Sequence, residues 1–230
     1  MIGNIIQYFL FIISLVTGIL YFYVAKRGFD AYQFLQERKF IYFFVSFSII
    51  ALSFFVIMLS YLYTIIHLEI HTFISMYIYT IIFMILYVTS LIILAKMYVD
   101  ELFITEQNVT ALFLSIIFLI TPIYTGYSIT DRYIKYNLGM IMAIPYLILI
   151  MVIIILSIFI TFTQYLNIRK RTSYSSIMVF LGFFVISISF LFLFIAGYNA
   201  VNFLLFNIFQ LASSILIAIP VIKVKNNNEK

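Results

Sequence analysis

Two groups of polar side chains in this apolar chain are the candidates for chemistry. The first comprises Asn207, Gln210 and Ser214, inside an apolar run near the C-terminus. Their spacing of i, i+3 and i+7 puts them on one face of a helix. An amide in hydrocarbon needs a hydrogen-bond partner, so this face is predicted to point into a helix bundle. The expected role is hydrogen bonding between helices, and the alternative is the lining of a solute path.

The second group is the segment HLEIH, which contains both histidines of the chain. His67 and His71 share a helix face at spacing i, i+4, where imidazoles can bind a metal ion. Glu69 points elsewhere on such a helix, and the pattern is not the HExxH of metalloproteases. Ordinary interfacial histidines are therefore the preferred interpretation, with metal binding or pH sensing as the alternative. No cofactor is predicted.

Composition places the chain in a membrane. Apolar residues make up 66% of the 230 positions and charged residues 9%, against about 45–50% and 25% in soluble domains. The absence of cysteine excludes disulfides, thiolate metal sites and cysteine nucleophiles. The net charge of +5 comes from basic residues beside apolar runs, which favours contact with the bilayer and excludes nucleic acid as the expected partner.

The apolar runs predict an all-α membrane protein with a single seven-helix transmembrane domain over residues 1–230. Each run is long enough to cross a bilayer. The segment after the first span, 25–39, is predicted to continue its helix along the interface, with Gly28 as the weakest position. The predicted spans are 5–24, 40–66, 73–95, 109–129, 138–162, 177–196 and 201–222.

The distribution of Lys and Arg predicts the orientation. With seven spans and the N-terminus outside, only Arg132 and Lys135 of the 13 basic residues lie in outer loops, which leaves 13 − 2 = 11 on the inside. Positive residues retain loops on the cytoplasmic face. We therefore expect a multi-pass protein of the cell membrane with its C-terminus in the cytoplasm.

A faint internal repeat accompanies this threading. Residues 44–61 can be aligned with residues 180–197. Spans one to three and five to seven would then be parallel repeats joined by span four, as in some transporters. Chance similarity between apolar segments is the alternative. The matched residues are Phe44, Phe47, Ile50, Ser53 and Phe54 with Phe180, Phe183, Ile186, Ser189 and Phe190.

In outline, this arrangement of two three-span repeats joined by a fourth span resembles SWEET-type sugar transporters and microbial rhodopsins. Spans one to three lack the prolines of SWEET-type bundles, since all three prolines of the chain lie after span three. A rhodopsin needs a lysine in the middle of its last helix, whereas Lys223 lies at the cytoplasmic end. The stretch AKRGFDAY, with the Phe/Ser-rich span after it, resembles seven-helix membrane proteins of archaea. That resemblance covers spans one and two and implies no activity.

The predicted membrane cores contain no Asp, Glu, Lys or Arg, the residues that mark proton relays and intramembrane ion sites. No nucleophile is paired with a base, so we expect no enzyme activity. The sequence slightly favours a noncatalytic subunit or sensor that acts through other membrane proteins. The alternative is a facilitator of a small neutral solute, in which Asn207, Gln210 and Ser214 line the path with hydroxyls of span three, whose default role is packing.

Overall fold

The computed structural model describes residues 2–66, 72–102, 137–170, 173–196 and 200–228. These residues form six α-helices, each long and apolar enough to cross a membrane. The part of the chain that the structure describes is therefore all-helical, and its helices are compatible with a multi-pass membrane protein. The helices are α1 (Ile2–Leu35), α2 (Arg38–Ile66), α3 (Thr72–Leu102), α4 (Asn137–Lys170), α5 (Tyr174–Ala196) and α6 (Ala200–Asn228).

Predicted spans one to three lie within α1 to α3, and predicted spans five to seven lie within α4 to α6. The predicted fourth span, 109–129, lies outside the described residues, so the number of seven spans stays a prediction. The helical continuation after span one is confirmed for residues 25–35, because α1 runs on to Leu35, whereas the predicted residues 38–39 form the start of α2. Gln36 then adopts a left-handed conformation with φ 54°, a common way to end a helix.

The described helices pack in a closed ring. Each helix contacts the next one in chain order, and α6 returns to contact α1. Large aromatic side chains from α2, α3 and α5 fill the centre, including Phe47, Phe54, Tyr87 and Phe190, none of which is exposed. The outer faces carry exposed apolar residues, as expected for contact with lipid. Examples are Ile12, Ile19, Phe22, Ile85, Ile92 and Ile188.

We name α1–α3 the first triplet and α4–α6 the second triplet. Within each triplet, neighbouring helices run in opposite directions. In the first triplet, Ser46 of α2 bonds to Ser90 of α3, while Phe54, further along α2, packs on Phe83, which lies earlier in α3. The second triplet shows the same relation between α5 and α6, where Gly182 lies beside Ile217 and Phe190 beside Phe206.

The two triplets run in the same direction. At one end of the bundle, which we name the pocket end, Tyr98 near the end of α3 bonds to Gln164 near the end of α4. The first turns of α2 and α5 line the same pocket as these two residues. Because α3 and α4 both finish at the pocket end, Leu102 and Asn137 lie at opposite ends of the bundle.

A candidate functional site in the polar joint

The polar face of α6 is buried in the centre of the ring. Asn207, Gln210 and Ser214 are at most 1% exposed. Side chains from both triplets surround the two amides, and we name this network the polar joint. Its members are Ser14, Tyr21, Tyr61 and Tyr87 of the first triplet and Ser189, Asn207, Gln210 and Ser213 of the second triplet.

Asn207 connects α6 to two helices of the first triplet. Its Oδ1 accepts a hydrogen bond from Ser14 Oγ of α1 at 3.0 Å. Its Nδ2 donates to Tyr61 Oη of α2 at 3.3 Å and to the Phe203 carbonyl of its own helix at 2.9 Å. Both amide donors and the amide acceptor therefore have partners at a depth where water does not compete.

Gln210 connects α6 to α3 and α5. Its Oε1 accepts from Tyr87 Oη at 3.1 Å, and its Nε2 donates to Ser189 Oγ at 2.6 Å. The Ser189 hydroxyl in turn donates to the Ile186 carbonyl of α5 at 2.7 Å. Gln210 thus bonds to one helix of each triplet and extends the network across the bundle.

Tyr21 adds another bond between the triplets. Its hydroxyl lies 2.8 Å from Ser213 Oγ, and Ser213 Oγ also lies 2.7 Å from the Gln210 carbonyl. A serine has a single hydroxyl proton. Ser213 donates this proton to the backbone carbonyl of Gln210, so Tyr21 is the donor in the bond between α1 and α6.

Ser214 behaves differently from the two amides. Its hydroxyl donates to the Leu211 carbonyl one turn earlier in α6, at 2.8 Å. A serine that bonds to its own helix satisfies its polarity without a neighbour. Of the three predicted residues, the structure therefore brings Asn207 and Gln210 into bonds between helices and leaves Ser214 in a local bond.

Sequence reasoning missed the partners on α1 and α2, namely Ser14, Tyr21 and Tyr61. A signal was present on α1, because Ser14, Thr17 and Tyr21 have the same i, i+3 and i+7 spacing as the polar face of α6. All three are fully buried. A search for this spacing in every apolar run would have matched the two helices that meet in the joint.

The chemistry of the polar joint is that of amides, hydroxyls and phenols. Such groups recognise neutral hydrogen-bonding molecules, and in this conformation they bond to one another. Among the described residues, no three His, Cys, Asp or Glu side chains lie together as metal ligands would. The candidate ligands His67 and His71 lie outside the described residues, so the metal hypothesis stays a prediction.

A pocket of about 260 Å³ opens at the pocket end of the bundle. Its polar groups are the Tyr98–Gln164 pair, two serines and Lys39, which forms an ion pair with Glu37 at 2.6 Å. The lining thus combines apolar side chains with neutral donors and acceptors and an ion-paired lysine. The pocket is lined by Lys39, Phe40, Phe43, Met97, Tyr98, Gln164, Ser175, Ser176 and Val179.

Comparison with protein-family models, with curated proteins and with solved structures gives no match. The outline resemblance to SWEET-type transporters and rhodopsins therefore receives no support from known proteins. The class of protein rests on the six apolar helices of the chain itself, and its role must be argued from the polar joint and the pocket.

Proposed function

We propose that this chain is a noncatalytic multi-pass protein of the cell membrane, a subunit or sensor that acts through contacts with other membrane proteins. The observation that carries the proposal is the pairing within the polar joint. Both amides bond to neighbouring helices, and no acid or base takes part. Interhelical bonds of this kind hold membrane helices in one arrangement, which suits a protein that transmits or supports a conformation.

We also propose seven spans with the N-terminus outside. The common direction of α3 and α4 supports an additional crossing, since two spans that finish on the same face need a crossing between them. The apolar run 109–129 has the required length. Arg38, Lys39 and Lys96 lie near the pocket end, and positive residues favour the cytoplasmic face. The pocket would then face the cytoplasm.

A pull-down from the native membrane in mild detergent tests the subunit proposal. The tagged chain should co-purify with another membrane protein in comparable amounts. A matched preparation of Asn207→Leu should retain less of that protein, because the variant disturbs the arrangement of α1, α2 and α6 on which the contact depends. Recovery of the wild-type chain alone would contradict the proposal.

A facilitator of a small neutral solute is the second candidate. It is favoured by the position of the polar joint between two triplets that run in the same direction. Transporters with parallel repeats bind their solutes near mid-membrane, between the repeats. If the triplets move apart, Asn207, Gln210 and Ser214 become available to a solute, and the pocket becomes its cytoplasmic entrance.

Leucine substitutions separate the two roles. Asn207→Leu and Gln210→Leu are compared with Ser214→Ala in reconstituted liposomes, with uptake and assembly measured on the same preparations. Loss of uptake with normal assembly would establish the facilitator. Loss of assembly or of thermal stability, with no uptake by the wild type, would support the subunit or sensor.

A further inference from the structure

We propose that the two triplets are copies of one three-helix unit, related by a twofold axis along the bundle, and that each presents to the other a self-complementary surface. The kind of partner that this surface fits is a second copy of the same unit. The inference goes beyond either proposed role, because it concerns how the joint and the pocket are built. It rests on matched pairs of residues, one from each triplet. Each pair is separated by one of two differences in residue number, which we call shifts.

The first shift, 136 residues, relates α2 to α5. It pairs Phe47 with Phe183 and Phe54 with Phe190, and all four rings are fully buried. The matched serines also behave alike. Ser53 and Ser189 each donate to the carbonyl three residues earlier, both at 2.7 Å. The similarity seen in the sequence thus coincides with equivalent positions in the core.

The second shift, 123 residues, relates α3 to α6. It pairs Phe83 with Phe206 and Tyr87 with Gln210. It also pairs Ser90 with Ser213, and each of these hydroxyls donates to the carbonyl three residues earlier, at 2.6 and 2.7 Å. Two of these pairs are identical residues, whereas Tyr87 and Gln210 share only their polarity and their burial.

Matched residues touch each other across the bundle centre. The rings of Phe47 and Phe183 have centroids 6.4 Å apart, and Tyr87 bonds to Gln210 at 3.1 Å. The rings of Phe83 and Phe206, which the second shift matches, also have centroids 6.4 Å apart. Two positions related by a twofold axis can touch only if both lie close to that axis. Contacts from two different helix pairs therefore define one axis.

The packing between helices repeats as well. Ser46 of α2 donates to the Ser90 carbonyl of α3 at 2.9 Å. The residue matched to Ser46 is Gly182 of α5, and a Cβ built on this glycine would lie 3.2 Å from the Ser213 carbonyl of α6. Ser213 is the residue matched to Ser90. Each unit therefore makes the same close approach between its second and third helices.

The pocket lies on the same axis. Three matched pairs at the first shift contribute to its lining. A cavity lined from both sides by equivalent positions is shared between the two copies. The two copies contribute different groups to the pocket lining. The first triplet contributes a cation and aromatic rings, and the second triplet contributes hydroxyls. The pairs are Lys39 with Ser175, Phe40 with Ser176 and Phe43 with Val179.

Exchanging matched residues tests the proposal in the full chain. Tyr87→Gln and Gln210→Tyr are made singly and together, and the midpoint of thermal unfolding in detergent is measured. Equivalent environments should accept the exchange, so the double variant should recover at least half of the drop caused by the worse single variant. Recovery of less than half would overturn the proposal.

A matched control distinguishes symmetry from simple contact. Tyr21 and Ser213 also share a hydrogen bond between the triplets, but neither shift relates them. Exchanging these two residues should bring no recovery, and recovery equal to that of the Tyr87–Gln210 exchange would also overturn the proposal. If the core variants fail to fold, Phe40→Ser with Ser176→Phe applies the same criterion in the pocket lining.

Discussion

Two tyrosine–glutamine pairs connect α3 to the second triplet, and they differ in depth. Tyr87 and Gln210 lie in the polar joint, where neither is exposed. Tyr98 and Gln164 lie beside the pocket, with 4% and 7% of their surfaces exposed. The chemical groups are the same in both pairs. The comparison predicts that the deep hydrogen bond contributes more to stability than the one beside the pocket, because water can replace only the latter.

The partners of the deep pair make the difference larger. Gln210 Nε2 also donates to Ser189 Oγ, and the Ser189 hydroxyl in turn donates to the Ile186 carbonyl. A broken deep bond therefore leaves several polar groups to rearrange in hydrocarbon, where an unsatisfied group is costly. A broken bond beside the pocket exposes its partner to a cavity that can hold water.

Removing the two glutamine amides should give the largest contrast. Gln210→Leu takes away the partners of Tyr87 and Ser189, so we expect a loss of about 2 kcal/mol in the free energy of unfolding. Gln164→Leu should cost less than half of that, because water in the pocket can donate to the Tyr98 hydroxyl in place of Gln164 Nε2. Unfolding in mixed micelles measures the free energy lost by each variant. Equal losses would contradict the claim that the depth of the hydrogen bond decides its contribution to stability.

Removing the two tyrosine hydroxyls should give a smaller contrast in the same direction. Tyr87→Phe keeps the ring and its packing but leaves Gln210 Oε1 without its donor. We expect a loss of about 1 kcal/mol, in the range measured for hydrogen bonds between membrane helices. Tyr98→Phe should cost less than Tyr87→Phe in the same assay. A larger loss for Tyr98→Phe would reverse the comparison.

Ser214→Ala should have the smallest effect within the polar face of α6. Its hydroxyl donates to the Leu211 carbonyl within the same helix, so its removal orphans no side chain of another helix. We expect a change within about 0.5 kcal/mol, below the average of about 0.6 kcal/mol for hydrogen bonds between membrane helices. Ser189→Ala is the matched comparison, since it removes the partner of Gln210 Nε2, and it should be the more damaging of the two serine variants.

The sequence was informative about elements and less so about their neighbours. Spans one to three and five to seven could be read from apolar length, because a helix in lipid must satisfy its own backbone. Gly28 was the weakest predicted position of α1, yet the helix continues through it. A Cβ there would lie 2.7 Å from Phe43 Cδ1, so this glycine allows the ring of α2 to pack closely.

The partners in the polar joint could not be predicted in the same way. The spacing of Asn207 and Gln210 identified a polar face, but hydropathy carries no information on which helix that face meets. For Tyr87 the sequence predicts packing, the default for hydroxyls in a span, and its bond to Gln210 depends on contact between residues 123 positions apart. The pairing arises from the ring of helices, which no local pattern encodes.

The common direction of α3 and α4 is the central claim, and cysteine labelling tests it most directly. The chain has no cysteine, so Glu101→Cys at the end of α3 and Asn137→Cys at the start of α4 each introduce a single reporter. In sealed right-side-out vesicles, an impermeant maleimide should label Asn137→Cys, and Glu101→Cys should react only after permeabilisation. Labelling of both positions from the same side would contradict the claim and, with it, the two parallel triplets.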